Sequence, residues 1–282
     1  MSDEWRWGAG PNRYVKRPGT GADPPRPDGI PLRRPLTQNA LQLTGITYDR
    51  GRVDFDRLRE SDVERARTRF RRSLPDLIWN AAALEGNTFT LPEVRTLLDG
   101  VTVGGKPLAD EEQVLALSEG YSRLDELVGT REFTLSKVVS DQAHSMIARH
   151  EAIESGHFRG EGLTGGGGDV RLSNGGYVRG VPAADLPARF ERLATYIGTL
   201  DDPREQALVY FAAATRSQFY FDGNKRTARL MMTGMLMSSG FDAVNIPFAR
   251  QYEFNLALDD LFTTDDGTAL MAFVADCADR DG

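Results

Sequence analysis

The sequence predicts an all-α protein that carries one small β-hairpin. Three observations lead there. Apolar residues recur at helical spacing from about residue 53 to residue 277. Only one stretch, residues 170–178, pairs strand-like runs across a tight turn, Asn174-Gly175-Gly176. Residues 226–239 are almost wholly apolar beyond their first turn, which places that helix inside a bundle.

The elements follow in order. Residues 1–36 hold seven of the 14 prolines, mixed with Gly and with Arg6, Arg13, Lys16, Arg17, Arg26, Arg33 and Arg34. That composition reads as an extended or disordered arm. Residues 37–52 carry no clear period and are grouped with it, so the arm is drawn as 1–50 and an N-terminal helical region as 51–110. Arg57 to Arg72 pairs acids and arginines at helical spacing and reads as a solvated face. Leu74 to Leu84 is more apolar and stops at Glu85-Gly86-Asn87. Thr90-Leu91-Pro92-Glu93 is a capping box opening a short helix to Leu98. Helices are expected at 110–127, 134–153, 186–197, 204–217, 224–239, 250–262 and 268–277, with Gly160 to Gly168 leading into the hairpin.

At 40% hydrophobic and 27% charged, the 282 residues can build a sizeable core. A net charge of -7 argues against a general nucleic-acid binder. The single cysteine, Cys277, excludes an internal disulfide and a multi-Cys metal site and fits a reducing, cytoplasmic location. No apolar run is long enough to span a membrane, and no signal peptide is evident. His144, His150 and His157 are too few and scattered for a His-rich metal site. Nothing fixes the oligomeric state.

The chemistry concentrates in Gln218-Phe-Tyr-Phe-Asp222-Gly223-Asn224-Lys225-Arg226-Thr-Ala-Arg229. A helix N-terminus already favours an anion through its free N–H groups and dipole. Three cations there oppose the dipole, and a polyphosphate ligand explains them. Gly permits close backbone approach to a phosphate, Arg matches phosphate with a fork of donors, and a carboxylate suits Mg²⁺. A blander reading uses the same residues: Asp222 as a cap, Asn224 as a turn residue, the cations solvated or paired with acids.

These residues resemble the signature of the Fic (Fido) family, His-x-Phe-x-Asp/Glu-Gly-Asn-Gly/Lys-Arg-x-x-Arg. Residues 81–88, with Glu85, resemble the family's inhibitory helix motif. Gly156-His157-Phe158-Arg159 and the hairpin resemble its Gly-x-Phe-Arg segment and target-positioning flap. The resemblance spans roughly residues 70–279. It implies a Fic-type helical bundle with a β-hairpin flap, a core over 111–282, and AMP transfer from ATP to protein hydroxyls. By position, Asp222 would hold Mg²⁺. Gly223 and Asn224 would shape the anion hole. Arg226 and Arg229 would bind phosphate, with Lys225 beside them. Glu85 would reach Arg229 as an inhibitor. The implied partners are a nucleotide and a protein target at the flap.

Departures from the pattern bear on mechanism. Gln218 stands where the family has its catalytic His, and an amide cannot act as a general base. His144 reads as structural, His150 lies near a helix end, and His157 is the nearest stand-in. Ala81 replaces the motif's Ser/Thr, and Tyr220 replaces Phe. Lys225 is shared with the Doc branch, which transfers phosphate. The readings carried forward are a slow or conditional AMP transferase, an enzyme for a nucleophile that needs no deprotonation, a non-catalytic nucleotide-binding regulator or interaction module, and a Doc-like phosphotransferase.

Overall fold

The computed structural model describes residues 35–278; most of the Pro/Arg-rich arm, with its cations, lies outside the described residues. The described residues include ten α-helices, four short 3-10 helices and one two-stranded antiparallel sheet. No helix among them is long and apolar enough to cross a membrane.

The stretch grouped with the arm is not extended at its end. Residues Pro35–Thr44 form α1, which packs on α6 (Leu186–Ile197). Ile46 follows with no exposed surface, and Thr47 pairs with Asp266 in a parallel bridge. A few buried apolar residues (Ala40, Ile46, Val53, Phe55) anchor the segment, too few to generate a readable period.

One helix, α2 (Val63–Ala83), spans both the charged run and the apolar run, with Pro75 inside it and Asp62 capping it through Arg65 N–H at 2.8 Å. Its charged half is not simply solvated. Arg67 and Arg71 both bind Asp125 of α4 (Leu108–Gly129), and Arg69 binds Asp242. The capping box opens α3 (Leu91–Leu98), where Thr90 N–H donates to Glu93 at 2.7 Å. α5 (Lys137–Ile147) is shorter than the expected span 134–153 and ends with its apolar stripe, where Ala148 N–H closes on His144 O.

The hairpin joins β1 (Asp169–Arg171) to β2 (Tyr177–Arg179). Val170 and Val178 pack on the core while Asp169, Arg171, Tyr177 and Arg179 face out. α7 (Pro203–Ser217) and α8 (Asn224–Ser238) form the centre, and α8 also packs on α2, α4 and α5. Every residue from Arg226 to Met237 is buried, and Met231, Met232, Met235 and Met237 fill the core as apolar side chains. α9 (Gln251–Thr264) and α10 (Thr268–Cys277) close the bundle.

Candidate functional site

The site is the turn between the two central helices. Gln218 ends α7 in the left-handed region, at φ 54° and ψ 61°. Phe219 and Tyr220 then dive into the core: Phe219 stacks on Phe158 at 4.8 Å, and Tyr220 stacks on His144 at 3.8 Å. The Tyr220 hydroxyl donates to Asp141 at 2.9 Å. These buried rings fix where the turn sits. Asn224 closes it, accepting Tyr220 N–H at 2.8 Å and donating to Tyr220 O at 2.7 Å and to Gln218 Oε1 at 3.1 Å. Gly223 has φ +69°, and a Cβ there would lie 2.8 Å from Ala148 Cβ, so only glycine fits.

His144 is part of this scaffold, as its apolar stripe suggests. Its Nδ1 accepts Gly156 N–H at 2.8 Å, so the other nitrogen carries the hydrogen and donates to the Asp222 carbonyl at 2.9 Å. Burial pushes its pKa down to about 4, with Arg226 adding to the effect. It is a neutral brace with both nitrogens committed. His157 is exposed, and His150 accepts from Arg149 at 2.8 Å.

Arg159 joins the turn to the hairpin. Its Nε donates to Gln218 O at 2.7 Å, Nη1 to Gly167 O at 2.9 Å and Nη2 to Val181 O at 2.8 Å. The glycine run therefore wraps a guanidinium. At Gly168, φ +87°, a Cβ would lie 2.3 Å from Arg159 Cζ. At the other end of the hairpin, Ser173 N–H and hydroxyl donate to Asp259 of α9.

The cations gather where α8 begins. Arg226 and Arg229 are each 3% exposed. Arg226 Nη2 bonds Glu151, whose other oxygen accepts from Gln113 at 2.7 Å. Asp222 Oδ1 accepts Gly223 N–H at 2.5 Å and lies 3.7 Å from Arg226. Glu85 reaches the site from the end of α2, but its partner is Lys225, at 3.0 Å, and not Arg229 as the resemblance implies. The partly exposed lysine meets the carboxylate, while Arg229 stays in the core against the Phe254 ring at 5.8 Å. Burial alone would raise the Glu85 pKa, yet Lys225, Arg226 and Arg229 together hold it below the usual carboxylate range.

Donors remain unused. Nε and Nη1 of Arg226 and Nε and Nη2 of Arg229 are buried with no hydrogen-bond partner, as is Glu85 Oε1. Burial pulls the Arg229 pKa down, with Tyr121 and Glu85 opposing. Four guanidinium donor atoms are thus buried and unpartnered at the head of α8, where free N–H groups and the helix dipole favour negative charge. The structure brings Gln218, Asp222, Gly223, Asn224, Lys225, Arg226, Arg229 and Glu85 together in one locality. The sequence does not mark Glu151 and Gln113, which carry no local signal because their partners lie 75 and 38 residues away.

The fold is that of Fic-domain proteins. A Fic-domain signalling protein from Bacteroides thetaiotaomicron superposes with a TM-score of 0.64 at 22% identity, covering 86% of this chain and 93% of that one. Fic-1 from C. elegans superposes with a TM-score of 0.62 at 20% identity, covering 86% and 68%. No family model matches the chain. In sequence, the chain is 27% identical over 256 residues to the protein adenylyltransferase Fic of Drosophila erecta, covering 87% of this chain and 48% of that protein. It is 28% identical over 210 residues to the same-named protein of Drosophila yakuba, covering 72% and 40%. The chain thus spans about half the length, or less, of these relatives.

Proposed function

We propose that the chain is a Fic-type protein that binds ATP at the head of α8 and transfers its AMP group, with Glu85 holding the site in an inhibited state. The observation that carries this reading is the set of buried, unpartnered donors on Arg226 and Arg229. Leaving buried donors unmade is costly, about 1–3 kcal/mol each and more for charged groups, so their retention fits a ligand that satisfies them. The similarity to proteins named adenylyltransferase points the same way.

Mg²⁺ fits as part of the bound nucleotide. No group of three or more His, Cys, Asp or Glu side chains among the described residues could hold a metal alone. One accessible carboxylate, Asp222 with 62% of its side chain exposed, matches a cation that is bound by one or two carboxylates plus substrate phosphates. When bound, it would neutralise charge on the phosphates. The outward face of the hairpin, beside Gln218, is the surface for a protein target.

Calorimetry with ATP and Mg²⁺ on the wild type and on Glu85→Gly tests the reading. Binding that tightens in the variant is expected, and no binding by either protein would refute it. Incubation with α-labelled and then γ-labelled ATP separates AMP transfer from the phosphotransfer that Lys225 suggests. Binding without label in any product would favour the regulator, the reading that the baseless Gln218 supports.

A further inference from the structure

The hydrogen bonds around Gln218 fix which end of its amide is which. Tyr220 N–H donates to Asn224 Oδ1 at 2.8 Å, so the Asn224 amide nitrogen faces Gln218 and donates to its Oε1 at 3.1 Å. The Gln218 nitrogen then donates to Thr215 O at 2.7 Å. An amide nitrogen carries two hydrogens, and only one of these has a partner among the described residues. Gln218 thus presents a spare donor and no atom basic enough to take a proton. The neighbours do not supply one. Both nitrogens of His144 are committed to the scaffold. Arg159 spends its donors on carbonyls. Asp222 takes Gly223 N–H and is the carboxylate that fits the nucleotide's cation.

We propose that the acceptor of the AMP group is an already ionised oxygen acid, a phosphate or a carboxylate, and not a neutral hydroxyl. The proposal rests on the nucleotide-site reading above and names the class of its second substrate. A hydroxyl must lose a proton as it attacks, and a general base typically supplies about 10²–10⁴-fold in rate at that step. An oxyanion attacks as it stands. The free amide hydrogen of Gln218 orients it where an imidazole would remove a proton.

The acceptor oxygen forms a bond to the α-phosphorus of ATP. The bond from that phosphorus to the bridging oxygen breaks, and pyrophosphate leaves with the electron pair. With inorganic phosphate the products are ADP and pyrophosphate, the hydrogen of the hydrogenphosphate ending on pyrophosphate. With a carboxylate they are an acyl adenylate and pyrophosphate.

The full chain tests this, as wild type and as Glu85→Gly. One arm supplies radiolabelled inorganic phosphate with unlabelled ATP and Mg²⁺, and reads label in ADP. A second supplies acetate and traps any acyl adenylate with hydroxylamine as the hydroxamate. A third supplies α-labelled ATP alone and reads label on protein. Calorimetry measures ATP binding in parallel. Labelled ADP or hydroxamate is expected from Glu85→Gly, with no label on protein hydroxyls. Adding Gln218→His is expected to raise hydroxyl labelling by about 10²–10⁴-fold. ATP binding without labelled ADP or hydroxamate overturns the proposal. So does hydroxyl labelling by the protein with Gln218 intact. Absence of ATP binding in both proteins removes the nucleotide-site reading itself, and the acceptor class with it.

Discussion

The Glu85 carboxylate lies 3.0 Å from the Lys225 ammonium and makes no hydrogen bond to Arg229, one turn further along α8. This contact falls on the site's most exposed cation. Displacing it frees a surface lysine and leaves the two buried guanidinium groups in place. The first prediction follows: Glu85→Gln, which keeps the shape and removes the charge, raises ATP affinity severalfold in calorimetry.

The same carboxylate sets a pH dependence. Its folded pKa lies below the ordinary value of about 4.3, because three cations outweigh its burial. The folded state therefore binds fewer protons than the unfolded chain as pH falls. Its stabilising contribution is complete above the ordinary carboxylate range and is lost as pH drops through the lower, folded value. Urea midpoints of wild type and Glu85→Gln should be offset by a constant amount above the ordinary carboxylate range and converge as pH falls through the lowered, folded value.

His144 gives a second, separable window. Its pKa falls from 6.5 to about 4 on folding. Between these values the unfolded chain binds more protons, so stability rises with pH across the interval and is lost as pH falls from 6.5 toward 4. The total is about 3 kcal/mol, at 1.36 kcal/mol per unit. Urea unfolding between pH 7 and pH 4 should show this slope, and His144→Gln should flatten it.

Arg229 should set stability against binding. Its guanidinium is buried with two unpaired nitrogens. A buried charge with unpaired donors carries a desolvation cost, which an apolar side chain of similar volume removes. Arg229→Met is expected to hold or raise the melting temperature of the ligand-free protein and to abolish the shift produced by ATP with Mg²⁺. A melting temperature that falls while that shift survives would assign Arg229 a structural role.

Gly223 should not tolerate a side chain. A Cβ at φ +69° carries backbone strain and also meets Ala148 at 2.8 Å. Gly223→Ala should cost about 2 kcal/mol or more in denaturant unfolding and weaken ATP binding, since the turn that aims Asn224 must shift.

Much of the site is legible because it is local in sequence. Asp222 to Arg229 form one turn and the helix it opens, and the alternation of cations with an apolar continuation marks the helix head. The central helices are equally plain, since α8 is buried all round. What stays hidden depends on long-range pairing. Glu151 lies where a helical stripe would continue, yet α5 stops at Ile147 and Glu151 turns instead toward Arg226. The arginines of α2 look like solvated charge until Asp125 and Asp242 meet them. The Lys225 partnership of Glu85 depends on side-chain reach, which spacing does not encode.

Arg159 binds carbonyl oxygens alone, from Gly167, Val181 and Gln218, and its own N–H holds Phe219. It is a knot tied through three distant stretches of chain. The root of the hairpin and the end of α7 are therefore one mechanical piece. A torque applied at the hairpin would be delivered to the Gln218 backbone, and no protonation of a carboxylate can untie the joint.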